Sequence, residues 1–249
     1  MAVAFKLPQP SRIEPLLMCK EAVERWPSAF TPQGIESHEP PMETFAHLET
    51  MMLLLQALLW LWRDRDDFFA AGNLTIYHSP TQRKSDDFRG PDFFVVLGTH
   101  REPKRKSWVV WDEGGKYPNV IVEALSTTTA DVDRGLKKEI YQDVFHTPEY
   151  FLFDPETKEL IGYRLDAGKY QPLTPDAAGR LRSNELDLSL GVHDGILRFF
   201  LPSGELVPTP VELGLKAEAE AHRADSAERR ARLYADKLRA LGIDPDTIE

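Results

Sequence analysis

Residues 119–155 read NVIVEALSTTTADVDRGLKKEIYQDVFHTPEYFLFDP. Val120 to Leu125 is a short aliphatic, β-branched run, which predicts a strand. Asp133 to Phe145 carries Leu136, Ile140, Tyr141 and Val144 at helical spacing, with Pro148 just beyond, where helices commonly stop. Tyr150 to Phe153 predicts a second strand, closed by Asp154-Pro155. Strand, helix and strand in this order predict an α/β protein. Glu123 is out of place in the first strand, because its neighbours are all apolar. An ionised carboxylate is costly there unless it is paired or binds a cation. A structural ion pair with a nearby Lys or Arg and a role as active-site ligand both satisfy that requirement.

Upstream, Phe93 to Leu97, Leu74 to Tyr77 and Trp108 to Trp111 read as further consecutive strands, and Asp92 opens the run PDFFVVL. Thr44 to Arg63 has apolar residues on nearly every face and predicts a long helix enclosed on most sides. Residues 1–41 are punctuated by proline and read as an irregular N-terminal arm. Downstream, Glu159 to Val207 changes to hairpins whose turns, such as Asp166-Ala-Gly and His193-Asp-Gly, suit tight reversals. They are expected to extend the sheet in antiparallel fashion. Lys216 to Ala240 lacks Gly and Pro and is rich in Ala, Glu and Arg, predicting one exposed helix. The domain boundaries expected are 1–41, 42–209 and 210–249.

The longest apolar run, Met51 to Trp62, is broken by Gln56 and falls well short of the ~20 residues that span a bilayer, so no membrane segment is expected. The N-terminus lacks a signal-peptide pattern, which makes a cytoplasmic location the default. Cys19 is the single cysteine, which excludes an intrachain disulfide and a cysteine-zinc site. Net charge is −10, unfavourable for a nucleic-acid binder as a whole. Between Gln82 and Lys138, however, 11 Lys and Arg outnumber 9 Asp and Glu, so positive charge is concentrated mid-chain, at Arg83, Lys84, Arg89, Arg101, Lys104, Arg105, Lys106 and Lys116.

Pro91-Asp92, then Glu123 after 30 intervening residues, then a lysine-bearing helix resembles the PD-(D/E)XK nuclease superfamily. Within it, residues 119–155 resemble the signature block of the Uma-type restriction endonuclease family. The matching positions are Glu123, Leu125, Ser126, Asp133, Lys137, Tyr141, Pro148, Glu149, Tyr150, Asp154 and Pro155, and the likeness runs from about residue 42 to 205. It implies a restriction-endonuclease-like mixed sheet flanked by helices. One position departs: the superfamily places a lysine two residues after the second acid, where this chain has Leu125 on the same strand face as Glu123. The family resemblance implies a lysine relocated to the following helix, at Lys137. Lys137 shares a helix face with Tyr141, and Lys138 points about 100° away.

What the resemblance implies is phosphodiester hydrolysis of DNA with Mg²⁺ or Mn²⁺ held by Asp92, Glu123 and the carbonyl of Ala124, and with Lys137 as the third catalytic residue. Two carboxylates on neighbouring strands suit Mg²⁺ on chemical grounds as well. Glu43 and His47, four apart on the first helix, are further candidates for the metal's surroundings. Trp108 and Trp111 are expected in the core and Asp154 in a turn. The competing function is a non-catalytic assembly protein that retains the nuclease fold. A glycosidase using the two acids would need a sugar cleft instead. The spacing of Ala217, Ala224, Ala227, Ala231, Tyr234, Leu238 and Leu241 is that of a coiled-coil seam, which predicts a homodimer through the C-terminal helix.

Overall fold

Strands that are buried on both faces read as unbroken apolar runs, and two such strands form the centre of the molecule. In this computed structural model, which describes residues 45–79, 90–102, 104–126, 133–242 and 244–245, these are β5 (Val120–Ala124) and β6 (Glu149–Phe153). They pair in parallel, Val120 opposite Glu149 and Glu123 opposite Leu152. A parallel pair needs a long crossover, and the segment containing Asp133 to Val144 supplies it. Around this pair a mixed six-stranded sheet runs in the order β1 (Phe68–Ala71), β3 (Phe93–Leu97), β5, β6, β7 (Leu160–Asp166), β8 (Lys169–Pro172), with every other pairing antiparallel.

Alternation along β3, β5 and β6 divides the core into two layers. Phe93, Val95, Val120, Val122, Phe151 and Phe153 face helix α1 (Phe45–Leu61) and a separate three-stranded sheet, β9 (Leu181–Ser183), β10 (Leu188–His193) and β11 (Ile196–Phe200). On the opposite face Phe94, Val96, Ile121, Leu125, Tyr150 and Leu152 pack with Trp108, Tyr141 and Phe145. Glu123 lies between Ile121 and Leu125 and therefore projects into this second layer.

Several expectations need correction. Only β7 and β8 extend the main sheet. Strands β9 to β11 instead stack across its face, because Leu181, Leu188, Leu190, Leu197 and Phe199 are buried in the same layer as α1. Leu74 to Tyr77 and Trp108 to Trp111 shrink to β2 (Ile76–Tyr77) and β4 (Trp108–Val109), a small parallel pair outside the main sheet. The chain turns directly after Val109, with the Gly115 N–H donating to the Val110 carbonyl at 2.8 Å and both Gly114 and Gly115 at positive φ. Strand β1 has no counterpart in the sequence reading, since FFAA shows no alternation. Helix α1 is enclosed on most sides, as expected, with one exposed face formed by Phe45, Leu48, Met52 and Trp60.

The crossover is π-helical rather than α-helical, over Asp133–Lys137 and Ile140–Val144, and the Phe145 N–H reaches back five residues to the Ile140 carbonyl at 3.0 Å. The apolar positions Leu136 and Val144 face outward, while Asp133, Lys137 and Tyr141 are buried. A helix closed by i→i+5 bonds has more than four residues per turn, so two successive steps of four stay on one inward face.

The final helix, α2 (Pro210–Ala240), starts six residues before the expected Lys216. A reciprocal cap between Thr209 and Glu212, with Pro210 in the first turn, fixes its start. Buried Arg198 of β11 grips Glu212 in two parallel bonds of 2.9 and 2.7 Å, which tie the helix base to the domain. No side chain of α2 is buried. Among the described residues no helix is long and apolar enough to cross a membrane.

Candidate active site

Asp92 immediately precedes β3, and Glu123 is the penultimate residue of the adjoining β5. The two acids clasp each other's backbone. The Asp92 N–H donates to Glu123 Oε2 at 3.1 Å, and the N–H of Ala124 donates to Asp92 Oδ2 at 2.8 Å. In an extended strand a residue's N–H and C=O face the same neighbour, so the Ala124 carbonyl is also directed to the β3 side.

Glu123 Oε1 receives two further donors from the crossover: the Tyr141 hydroxyl at 2.8 Å and the Lys137 ammonium at 3.0 Å. Lys137 Nζ also lies 2.8 Å from Asp133 Oδ1. Tyr150 of β6 donates to the Asp133 carbonyl at 3.0 Å and holds the start of the crossover in place. His47 of α1 is buried at the margin, its Nε2 donating to the Leu125 carbonyl at 3.1 Å. The β-sheet thus fixes the two acids, the widened helix delivers the cation, and α1 closes one side.

Three carboxylates surround one ammonium. Burial is the largest influence on Glu123 and drives its pKa up to about 8; Lys137 opposes that rise, while the charges of Asp92 and Asp133 add to it. Asp92 is raised as well, chiefly by burial and against the attraction of Lys137. For Lys137 burial alone would lower the pKa, but Glu123, Asp133 and Asp92 outweigh it and push the ammonium above its usual range. Tyr141 and Tyr150, buried beside these acids, are raised well above the ordinary phenol value and stay protonated donors.

An excess of buried negative charge is what a divalent cation would relieve. Among the described residues no three His, Cys, Asp or Glu side chains converge as a ready ligand set. The donors present are Asp92 and Glu123 with the Ala124 carbonyl, which fits Mg²⁺, an ion held through one or two carboxylates while it keeps several waters.

The sequence-named residues divide into those at the site and those elsewhere. Asp92, Glu123, Ala124 and Lys137 are brought together, with His47 beside them. Lys138 instead lies over the Tyr163 ring at 3.7 Å. Glu43, Arg83, Lys84 and Arg89 lie outside the described residues. Arg105, one of the concentrated mid-chain cations, is engaged with Glu113 through both Nε and Nη2. Trp108 is buried in the core and Asp154 caps a turn through the Glu156 and Thr157 N–H groups. Glu149, a matched position of the block, is structural: Arg164, Ser183 and the Asn184 N–H saturate it.

Asp133 entered the sequence reading only as a matched position, and Tyr141 as a matched position sharing a helix face with Lys137, yet both touch the Glu123–Lys137 pair. Their signal was the repeated step of four, Asp133, Lys137, Tyr141, which an apolar-periodicity search passes over.

This arrangement defines a class: a mixed-sheet protein with paired acids on adjacent central strands and a lysine supplied by the crossover between parallel strands. The chain belongs to the Uma2 family, described as putative restriction endonuclease, whose pattern matches residues 32–199. A solved structure of a putative nuclease belonging to DUF820 from Anabaena variabilis is similar over 59% of this chain and 76% of its own, at 15% identity and a TM-score of 0.43. A comparison with curated proteins finds no match.

Proposed function

We propose that this chain is a divalent-metal-dependent DNA endonuclease that works as a homodimer joined through α2. One observation carries the reading. The carboxylates of Asp92 and Glu123 are clasped across adjacent strands, and the lysine missing from position 125 is replaced by Lys137, whose ammonium reaches Glu123 from the crossover. Asp92, Glu123 and the Ala124 carbonyl hold Mg²⁺ or Mn²⁺. When bound, the ion supplies an acidified water and positive charge against the scissile phosphate.

The protein's own groups do the positioning. Lys137 favours the ionised form of Glu123 despite complete burial and directs a cation toward charge that develops on the phosphate. Tyr141 fixes the Glu123 rotamer through a 2.8 Å bond. His47 holds the backbone at Leu125, next to the Ala124 carbonyl.

The test uses Asp92→Asn. Its amide oxygen keeps the bond from the Ala124 N–H, so the fold is preserved while the charge is lost. Supercoiled DNA nicking with Mg²⁺ or Mn²⁺ is expected to fall by ~100-fold or more. Wild-type activity in the variant would sink the assignment.

A second reading has its own observation. Both oxygens of Glu123 are already met by three donors, as in a purely structural buried ion pair. On that reading the chain is a non-catalytic assembly protein, and no divalent ion binds at Asp92.

A further inference from the structure

Helix α2 contains seven basic residues, and they fall into two groups. Arg229, Arg232 and Arg239 are each paired with an acid one turn away, Asp225, Glu228 and Asp236. Lys216, Arg223, Arg230 and Lys237 have no ion-pair partner among the described residues, and all four are exposed. These four recur at strict steps of seven. Seven residues are nearly two full turns, so the four cations form one stripe along the helix, ~10.5 Å apart and ~31 Å from first to last.

The positions that interleave with the stripe on its side, Ala219, Ser226, Leu233 and Ala240, carry no charge. Of the acids beyond the capped first turn, Glu220 borders the first interval of the stripe, four residues after Lys216 and three before Arg223, whereas Glu218, Asp225, Glu228 and Asp236 lie on other sides of the helix. A protein of net charge −10 therefore carries, on a helix with no buried side chain, a line of four cations without ion-pair partners among the described residues, bordered by no acid from Arg223 to Lys237. At ~10.5 Å spacing, beyond the ~8 Å Debye length at physiological salt, the four charges repel one another only weakly, yet a polyanion laid along the helix meets all of them.

We infer that the stripe Lys216, Arg223, Arg230, Lys237 is a docking line for the phosphate backbone of duplex DNA. From Arg223 to Lys237 the interleaving residues, Ser226 and Leu233, are uncharged, so no negative charge on this side opposes the phosphate backbone there. The ~31 Å length is close to one turn of a duplex, which carries a negative charge every ~1.7 Å, so each cation can reach a phosphate without reading a base. The inference rests on DNA as the substrate, and it extends that reading by placing affinity on α2, away from the acids that do the chemistry. The Arg198–Glu212 anchor makes the stripe's position relative to β11 a fixed one at the helix base.

The test is binding of a fluorescent DNA duplex to the full chain in EDTA, with salt varied, so that cleavage plays no part. Replacing Lys216, Arg223, Arg230 and Lys237 together with Gln is expected to weaken binding at least tenfold and to reduce the slope of log K against log salt by about 3 to 4, the value for four lost phosphate contacts. Replacing Arg229, Arg232 and Arg239 with Gln is expected to change the slope by less than about 1, because those charges are already neutralised. An unchanged slope in the fourfold variant overturns the inference, as does an equal loss in both variants, which would report bulk charge alone. A changed sedimentation state in the fourfold variant would assign the stripe to assembly and overturn it too. Stripe-dependent binding without any metal-dependent cleavage would uphold the docking line while sinking the endonuclease reading; cleavage with stripe-independent binding would do the reverse.

Discussion

Lys137 and Glu123 lie on different elements, yet their charges meet at 3.0 Å where Glu123 has no solvent exposure and the lysine side chain only 10%. Neither group is stable there alone. A buried acid without its cation protonates, and a buried ammonium without its acids loses its proton. The pair is therefore one unit, completed by Asp133 at 2.8 Å from the same ammonium, and changes to either partner have consequences for stability as well as for chemistry.

Lys137→Met is expected to cost about 3–5 kcal/mol of folding stability, the usual penalty for breaking a buried pair and leaving its acids uncompensated. Lys138→Met removes only a cation over the Tyr163 ring and is expected to cost ~1 kcal/mol or less. Urea denaturation at neutral pH checks the difference. Cleavage by folded Lys137→Met should be lost, and that by Lys138→Met retained; sensitivity at Lys138 instead would mean that the inward face of the crossover has been misassigned.

The Glu123 pKa of about 8, against an ordinary 4.5, sets a pH dependence. An acid whose folded pKa is raised binds its proton more tightly in the native state, so stability falls as pH climbs from about 4.5 toward 8. Asp92, also raised, acts in the same direction. Lys137, raised above the lysine range, contributes stability that is constant across this window and is lost only at alkaline pH. Unfolding free energies from urea denaturation are expected to drop between pH 5 and pH 8 by an amount on the order of a few kcal/mol, and Glu123→Gln should flatten the decline. Gln is an imperfect replacement, because its amide group must face either the Asp92 N–H or the donors Tyr141 and Lys137. A loss of about 1–3 kcal/mol at pH 5 is the expected result of that donor–donor conflict.

Mg²⁺ or Mn²⁺ should stabilise the native chain, by about 2.7 kcal/mol at a hundredfold excess over Kd. The rise in Tm should be larger at pH 8 than at pH 6, since ligation needs deprotonated carboxylates and both are held high. Asp92→Asn should remove the rise. A pH-independent, Asp92-independent effect would place the ion elsewhere on the molecule.

Legibility in the sequence followed the kind of signal. Glu123 was readable because a charge inside an apolar strand is anomalous by itself, and Asp92 because it opens an adjoining apolar run. Lys137 came only from resemblance: nothing in the spacing of Leu136, Ile140 and Val144 announces a buried cation, and of that apolar stripe Leu136 and Val144 turn out exposed while Ile140 packs at the core's margin. The segment is rotated so that the neighbouring step-of-four set, Asp133, Lys137 and Tyr141, faces inward, a choice made by the ion pair with Glu123 that apolar periodicity does not register. The stacked sheet β9–β11 was missed for a different reason. Hairpin turns specify local reversals but not whether the hairpin joins a sheet edge or covers its face, a choice made by the apolar sides of Leu181, Leu190 and Phe199.

The last prediction concerns assembly. Helix α2 buries no side chain, and Leu233, Tyr234 and Leu241 are among its exposed apolar residues. Ala217, Ala224, Ala227, Ala231, Tyr234, Leu238 and Leu241 form a seam at alternating steps of three and four, broken where Glu220 takes an inner position. On the proposed reading a like partner covers this seam of the 31-residue helix, and two chains joined in this way would present two sites to opposite DNA strands. Ending the chain at Thr209 would remove Glu212 and leave the buried Arg198 without its partner, confounding assembly with folding. A chain ending at Leu215 keeps the Thr209–Glu212 cap and the Arg198 pair while removing the seam. Sedimentation is expected to give a dimer for the full chain and a monomer for the shortened one, and the monomer should nick supercoiled DNA but make few double-strand breaks. The same oligomeric state in both would show that α2 is not the assembly element.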